Sequence, residues 1–228
     1  MKLGLYGGSF DPVHSGHVRV ARLALERLGL DRLFVLPAAV SPFKTDAAPA
    51  GGYDRLALLT AAFAGMGPRV TVDDRELRRG GVSYAIDTVR EIGSEHPGAE
   101  LHFIVGEDSV EGLARWREAE ELKRLCTFDV FPRTGESSTE VRRRLACGEP
   151  VDGLVPEAVA LFLRHGVRMS GDERVTGAVR SGLEKKGGYC PCRLPRTPEN
   201  MCPCAEFRAQ LADASYHGLC HCRLYQKP

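Results

Sequence analysis

An eleven-residue stretch near the N-terminus carries the residue types that hold phosphate. Gly7 to His17 reads GGSFDPVHSGH, between the apolar run 3–6 and a segment whose apolar residues recur at helical spacing. A strand that ends in a glycine turn before a helix brings backbone N–H groups and the positive end of the helix dipole together, which suits a phosphate group. His14 and His17 are three residues apart, so both rings can face one anion. The stretch predicts a phosphate site; the alternative is an ordinary strand–turn–helix with two surface histidines.

The elements around this stretch alternate between strands and helices. Buried strands are predicted by the apolar runs at 33–37, 69–72, 101–105 and 127–130, and segments with helical apolar spacing lie between them. This order is typical of an α/β protein with a parallel sheet and helices on both faces. Ligands in such sheets bind beyond the carboxyl ends of the strands. The glycine turn, the loop with Lys44 and the Gly106–Asp108 turn should therefore converge on one edge.

The composition limits the class of protein. The 228 residues are 43% hydrophobic and 27% charged, which is ordinary for a globular protein. Lys and Arg number 31 against 30 Asp and Glu, so no basic field indicates nucleic-acid binding. No uncharged apolar stretch approaches membrane-spanning length, and the first residues lack a signal-peptide pattern. We therefore expect a cytoplasmic protein that binds neither nucleic acid nor membrane.

The whole string from Gly7 to His17 resembles the signature of nucleotidyltransferases with an HxGH motif, most closely the nicotinate-nucleotide adenylyltransferases of NAD synthesis. The resemblance implies a Rossmann-like fold and transfer of AMP from ATP, with Mg²⁺, to nicotinate mononucleotide. It also implies that His14 and His17 contact the triphosphate and stabilise the transition state. Lys44 and Arg142 would be the cationic clamps on phosphate.

Four further strings match this family in the expected order. They are Pro42–Lys44, Asp74–Thr88, Gly106–Trp116 and Ser137–Arg142. Simpler explanations exist for some of them, since Ser137 and Glu140 form a plain capping box and a lone Trp116 can anchor a helix. By the resemblance, the residues that bind ATP or the acceptor are Gly7, Gly8, Ser9, Phe10, Tyr84, Thr88, Gly106, Asp108, Trp116, Arg133, Ser138 and Thr139.

One segment departs from the family pattern. A helix and a further strand normally separate the Pro132–Arg133 pair from Ser137, and in this sequence only Thr134, Gly135 and Glu136 intervene. About two dozen residues are missing, which affects the last strand of the sheet and one wall of the adenine pocket. Two alternatives stay open: a nucleotide-binding redox protein that reduces disulfides and whose shortened transferase domain is inactive, and a sister transferase with another acceptor such as pantetheine phosphate.

The cysteines are unevenly distributed. Of the eight, Cys126 and Cys147 stand alone, and the other six form three CxC pairs between Cys190 and Cys222. Nine residues separate the first two pairs and fifteen the last two. Such a cluster favours metal or redox chemistry over a structural disulfide framework. Six sulfurs exceed the four that one zinc ion or one cubane cluster takes, so two thiols are left over.

This pattern resembles the catalytic chain of ferredoxin–thioredoxin reductase, although the plant-type enzyme has a longer first gap and a shorter second gap. The resemblance implies a small α-helical iron–sulfur domain at 170–228, after a transferase domain at 1–169. It further implies a redox pair, Cys192 and Cys222, with His221 as proton donor, and ferredoxin and a thioredoxin-like protein as partners. The implied ligands of a [4Fe–4S] cluster are Cys190, Cys202, Cys204 and Cys220. A zinc site that uses cysteines and His217 or His221 is the alternative.

Overall fold

Five parallel strands form the central sheet in the part of the chain that the computed structural model describes, residues 1–43, 50–133 and 135–228. β1 lies at the centre, and Leu5 is in register with Phe34 on one side and Phe103 on the other. The glycine turn therefore leaves the middle of the carboxyl edge. The spatial order is β3-β2-β1-β4-β5, with the bounds β1 (Lys2–Gly8), β2 (Arg32–Pro37), β3 (Val70–Val72), β4 (Glu100–Gly106) and β5 (Thr127–Phe131).

Helices cover both faces of this sheet. One apolar layer joins Leu3 and Leu5 to Ile86, and the other joins Leu33 and Val35 to the first two helices. This confirms the expected α/β, Rossmann-like architecture. The helices are α1 (Ser15–Arg27), α2 (Gly52–Phe63), α3 (Arg75–Arg79), α4 (Ala85–Glu95), α5 (Ala119–Leu125), α6 (Ser138–Ala146), α7 (Glu157–His165), α8 (Glu173–Lys185) and α9 (Ala205–Ala212). Short 3₁₀ segments occur at Ala64–Met66, Glu107–Arg115 and Pro198–Asn200.

In the described segments, no helix has the length and apolar character needed to cross a membrane.

The cysteine-rich segment is not purely helical, in contrast to the expectation from its sequence. A three-stranded antiparallel sheet, in the order β6-β8-β7, accompanies α8 and α9. Its strands are β6 (Arg168–Met169), β7 (Gly218–Leu219) and β8 (Tyr225–Lys227). Strands of two or three residues are too short to show the alternation of apolar and polar residues, and β6 lies far from its partner β8 in the sequence. Because β6 precedes residue 170, the expected division there falls inside a sheet that joins both segments.

The cysteine-rich segment also packs directly on the first segment. The ring of Tyr225 lies 4.7 Å from that of Phe162 in α7, measured between centroids. Arg180 in α8 donates hydrogen bonds to the Asp74 carboxylate at 2.6 Å and to the Val72 carbonyl at 2.7 Å. One continuous apolar cluster therefore contains side chains from both segments.

The two segments approach each other closely at Gly188. Its φ is +91°, and a β-carbon there would overlap the carbonyl group of Ala64, directly after α2. Both the conformation and the space therefore require glycine.

Gly188→Ala should lower the free energy of unfolding by about 2–4 kcal/mol, because the new methyl group has no room and a positive φ is strained for alanine. Urea unfolding followed by circular dichroism measures this loss. Gly177→Ala is the matched control, since Gly177 lies in α8 with no atom within 4 Å of the new β-carbon. The control should be neutral or stabilising by up to about 1 kcal/mol. Equal stability of the two variants would contradict the tight contact.

Candidate active site

One cavity of about 670 Å³ lies at the carboxyl edge of the central sheet. Loops after β1, β2, β4 and β5 line it, together with the N-terminal ends of α1 and α6. A volume of this size suits a nucleotide-sized ligand. Of the residues expected from the sequence, those that line it are Gly7, Gly8, Ser9, Phe10, His14, His17, Gly106, Asp108, Arg133, Ser138, Thr139 and Arg142.

The glycine turn after β1 forms the floor of this cavity. Phe10 has a φ of +46°, which costs a side-chain-bearing residue about 1–2 kcal/mol. The Phe10 ring is 2% exposed and packs edge-on against Tyr6 at 5.4 Å and His17 at 4.9 Å between centroids. Apolar packing therefore holds the turn in a conformation that the backbone alone would not favour.

The two histidines stack at the start of α1. Their ring centroids are 3.6 Å apart, and the Nδ1 atom of His17 accepts a hydrogen bond of 3.1 Å from the backbone N–H of His14. That bond requires an unprotonated Nδ1, so neutral His17 carries its proton on Nε2. The Nδ1 atom of His14 is buried without a hydrogen-bond partner among the described residues. Buried polar atoms without a partner are rare in folded proteins and often occur at functional sites.

His14 is neutral at physiological pH in the unliganded protein. Burial lowers the pKa of its ring to about 4, Glu136 opposes the shift, and Arg133 adds to it. Both histidines can then donate N–H groups to a phosphate without bringing full positive charges into contact with each other. The electrostatic pull on the ligand comes from the helix dipoles and the arginines.

The N-terminus of α6 forms the opposite wall. Ser137 caps the helix by accepting a hydrogen bond of 3.2 Å from the backbone N–H of Glu140. Ser138 donates 2.9 Å to the carbonyl of Pro12, and Arg142 donates to the carbonyl of Asp11. These two bonds fix α6 against the glycine loop. The N-termini of α1 and α6 consequently face one cavity, and both favour an anion there.

Beyond β4, Asp108 and Arg133 complete the rim. The guanidinium of Arg133 lies 4.0 Å from the Asp108 carboxylate, and both side chains are more than half exposed. An exposed pair of this kind is weak, so either group can exchange its partner for a ligand.

Three residues expected at the site lie outside the cavity wall. Thr88 is fully buried, and its hydroxyl donates a hydrogen bond of 2.7 Å to Glu76. The ring of Tyr84 is covered by the guanidinium of Arg117 at 4.8 Å. Trp116 packs edge-on against Phe103 at 5.4 Å. The ring of Trp116 also lies 6.3 Å from that of Phe43, which lines the cavity. Contact of these three residues with a ligand stays a prediction, and Lys44 lies outside the described residues.

Other cavity residues were not anticipated from the sequence. Arg55 and Glu136 both line the cavity. Glu136 is held by Arg19 of α1, with the shorter hydrogen bond at 2.7 Å. The signal available for Arg55 was a charged residue directly before the apolar pattern of 56–63, whereas nothing local distinguishes Glu136.

The six clustered cysteines come together within the cysteine-rich segment. The sulfur of Cys190 interacts with those of Cys204 and Cys222, which holds its pKa below the usual range of a thiol. The sulfurs of Cys220 and Cys222 are 3.6 Å apart. Cys202 faces the hydroxyl of Tyr225 at 3.7 Å instead, and burial raises the pKa of its thiol to about 12.

The arrangement differs from a ready-made metal centre. In the ranges that the structure describes, no group of three or more His, Cys, Asp or Glu side chains is placed to hold a metal ion. Cys192 and His221 are exposed, while Cys222 is buried beside Cys190 and Cys220. The expected roles of these residues stay predictions.

Comparison with known proteins identifies the family. The family model described as cytidylyltransferase-like matches residues 5–163. The probable nicotinate-nucleotide adenylyltransferase of Gemmatimonas aurantiaca is 38% identical over 191 residues, covering 72% of this chain and 90% of the relative. That of Thermus thermophilus is 39% identical over 187 residues, covering 73% of this chain and 99% of the relative. The chain belongs to the nicotinate-nucleotide adenylyltransferase family.

Solved structures support the fold of this adenylyltransferase family member. A candidate nicotinate-nucleotide adenylyltransferase from Vibrio parahaemolyticus superposes with a TM-score of 0.61 at 23% identity, covering 72% of this chain and 99% of that one. The Plasmodium falciparum nicotinic acid mononucleotide adenylyltransferase complexed with NaAD gives a TM-score of 0.58 at 15% identity, covering 72% and 96%.

The alignments also bear on the short connection before α6 in this adenylyltransferase. The Thermus thermophilus match is 187 positions long but takes up 73% of the 228 residues, about 166. About 21 aligned positions therefore have no residue in this chain. That number is close to the two dozen residues expected to be missing from the spacing of Arg133 and Ser137. The family model ends at residue 163, before the cysteine pairs.

The free energy of unfolding should fall as the pH decreases from about 6.5 to about 4. Over that range the unfolded chain protonates His14, whose ordinary pKa is 6.5, while the folded protein resists protonation until about 4. The unfolded state then binds more protons, so acid favours it. Urea unfolding of wild type and His14→Gln at pH 4–8 measures this effect. The difference in free energy of unfolding between the two proteins should be constant at pH 7–8. On acidification the wild type should lose more stability than His14→Gln. A difference that stays constant down to pH 4 would contradict a buried, neutral His14.

Proposed function

We propose that the protein transfers AMP from ATP to nicotinate mononucleotide, which yields deamido-NAD and pyrophosphate in NAD synthesis. The observation that carries the proposal is the pair of helix N-termini, of α1 and α6, that face one cavity beside His14 and His17. Family membership supports the same activity, because the curated relatives are described as nicotinate-nucleotide adenylyltransferases.

No protein nucleophile is needed for this reaction. A phosphate oxygen of nicotinate mononucleotide attacks the α-phosphorus of ATP, and the bond from that phosphorus to the bridging oxygen breaks to release pyrophosphate. The protein must align attacker, phosphorus and leaving group, and it must stabilise the charge on the leaving oxygens. We assign the triphosphate contacts to His14, His17 and the N-terminus of α6. Arg142 and, in the loop outside the described residues, Lys44 are assigned as cationic clamps.

Mg²⁺ suits this cavity as a companion of ATP. The carboxylates of Asp11 and Asp108 line the cavity, and oxygen ligands of this kind suit the hydrated ion. When bound, Mg²⁺ would neutralise phosphate oxygens. Asp108 is also the proposed acceptor for ribose hydroxyls, since a carboxylate accepts hydrogen bonds from them.

An assay with MgATP and a panel of acceptors tests the proposal. Nicotinate mononucleotide should give pyrophosphate and deamido-NAD, and pantetheine phosphate should give neither. His17→Ala should lower kcat/KM by at least about 100-fold, because it removes a donor to the reacting phosphates. Circular dichroism of the variant should stay native.

His217→Ala is the matched control for this assay. His217 is exposed on the cysteine-rich segment and bonds the C-terminal Pro228 carbonyl, so its loss should leave turnover unchanged. Release of pyrophosphate with pantetheine phosphate alone would identify the sister transferase. No release with any acceptor would leave a nucleotide-binding protein without transferase activity, and wild-type turnover by His17→Ala would mean that the histidine motif was misread.

A second function is proposed for the cysteine-rich segment. The convergence of Cys190, Cys204, Cys220 and Cys222 favours a redox or metal module. We propose that it takes a [4Fe–4S] cluster, with zinc as the alternative, and that Cys192 and Cys222 form the redox pair beside His221. Two electrons from a ferredoxin-like donor and two protons would reduce the Cys192–Cys222 disulfide to two thiols. These thiols would then return to the disulfide as they reduce a disulfide of a thioredoxin-like partner to two thiols. The described side chains form no group of three or more that is placed to hold a metal ion.

Anaerobic purification of the full chain tests the metal content. A brown protein with broad absorption near the violet and four iron atoms per chain is expected, because thiolates in such number and grouping suit an iron–sulfur cluster. Cys204→Ser should lose the colour. Cys147→Ser is the control and should keep it, since Cys147 is an exposed cysteine of α6's C-terminal end and lies outside the cluster. A colourless protein with stoichiometric zinc would reject the iron–sulfur assignment, and a chain free of both metals would reject a metal site altogether.

A further inference from the structure

Arg55 is a charged residue in the interior of the protein. It lies in the first turn of α2 and is 2% exposed, although Leu56 to Phe63 are nearly all apolar. Its guanidinium donates to three main-chain carbonyls: Ser9 at 2.7 Å, Ala50 at 3.0 Å and Ala39 at 3.4 Å. The Ser9 carbonyl belongs to the glycine turn, that of Ala50 to the segment two residues before α2, and that of Ala39 to the loop after β2. One side chain therefore joins three segments that meet at the cavity.

The hydrogen-bond partners of Arg55 are neutral carbonyls, so they do not neutralise its positive charge. A buried guanidinium is costly unless its N–H groups find acceptors, and carbonyls satisfy them without cancelling the charge. Burial lowers the pKa of Arg55, and the carboxylate of Asp11 opposes that shift. A guanidinium stays protonated throughout the range in which proteins fold. The cavity wall consequently contains a cation in a fixed position, whose N–H groups are already bonded to protein carbonyls.

The Ala39 peptide is held from two directions. Its carbonyl accepts from Arg55, and its N–H donates a hydrogen bond of 2.9 Å to the hydroxyl of Ser83. The neighbouring Ala38 N–H donates 2.9 Å to the carbonyl of Gly8, which ties the same loop to the glycine turn. Arg55 thus stands at the junction between the proposed triphosphate wall and the segment before α4.

We propose that Arg55 is a positioning residue for the triphosphate of ATP, an inference that rests on the proposed adenylyltransferase function. It sets the distance between the glycine turn and the loop after β2, and it adds a buried positive charge to the site. Lysine in its place keeps the charge but cannot span three carbonyls with one ammonium group. Glutamine offers two donors and no charge.

Equilibrium binding of ATP and steady-state kinetics test this role. For Arg55→Lys, the dissociation constant for ATP should rise about tenfold and kcat/KM should fall about 10–100-fold, with kcat lowered as well as KM raised. Arg55→Gln should be weaker still in ATP binding, because it also lacks the charge. Both variants should keep a native circular dichroism spectrum.

Arg180→Lys is the matched control. Arg180 is also a largely buried arginine with a carbonyl partner, in its case Val72, but it lies outside the cavity. The Arg180→Lys variant should lose stability, as Arg55→Lys does, but it should keep the ATP affinity and the kinetics of the wild type. Wild-type ATP binding and kinetics in Arg55→Lys would overturn the positioning role and leave a merely structural one. The two proposals can also be separated. If the wild type is inactive with every acceptor and Arg55→Lys still binds ATP more weakly, the positioning role is supported and the transferase function is rejected.

Discussion

A site for a polyanion has to gather positive groups that repel one another when the ligand is absent. In this protein the cationic groups are held mainly by main-chain carbonyls. Arg55 bonds the carbonyl of Ser9, and Arg142 bonds that of Asp11. A carbonyl fixes the direction of a guanidinium and leaves its charge uncancelled. The dipoles of α1 and α6 add to the same field. These cationic groups are therefore oriented in the unliganded fold, beside the carboxylates of Asp11, Asp108 and Glu136 in the same cavity wall. The neutral state of His14 limits the repulsion among them.

Helix α2 links this site to the cysteine-rich segment. Its first turn carries Arg55, and its C-terminal end leads into Ala64, against which Gly188 packs without a side chain. Arg180 adds a second attachment through Val72 at the end of β3. The two segments therefore pack against each other at both attachments, and one apolar cluster contains side chains of both.

The sequence was most informative where the structure depends on residues that are close together along the chain. Strand and helix periods located the elements of the central sheet, and the glycine turn with its two histidines located the cavity, because a phosphate site at a helix start is local in sequence. Arg55 and Glu136 were missed since their partners lie far away along the chain. Thr88 shares a helical face with Tyr84 in the sequence, yet tertiary packing directs its hydroxyl to Glu76. The strands of the cysteine-rich segment were missed because they are too short to show a period.

The shortened connection before α6 does not prevent the helix from reaching the cavity. Six residues, 132–137, separate the end of β5 from the start of α6. Over that distance Glu136 bonds Arg19 of α1, and Ser138 bonds the carbonyl of Pro12 in the glycine loop. These contacts attach the N-terminus of α6 to the elements that carry the histidines, so the phosphate walls form without the missing helix and strand. Under the proposed function, adenylyl transfer depends chiefly on alignment and charge at the phosphates. The two helix N-termini proposed to hold those phosphates are present despite the short connection.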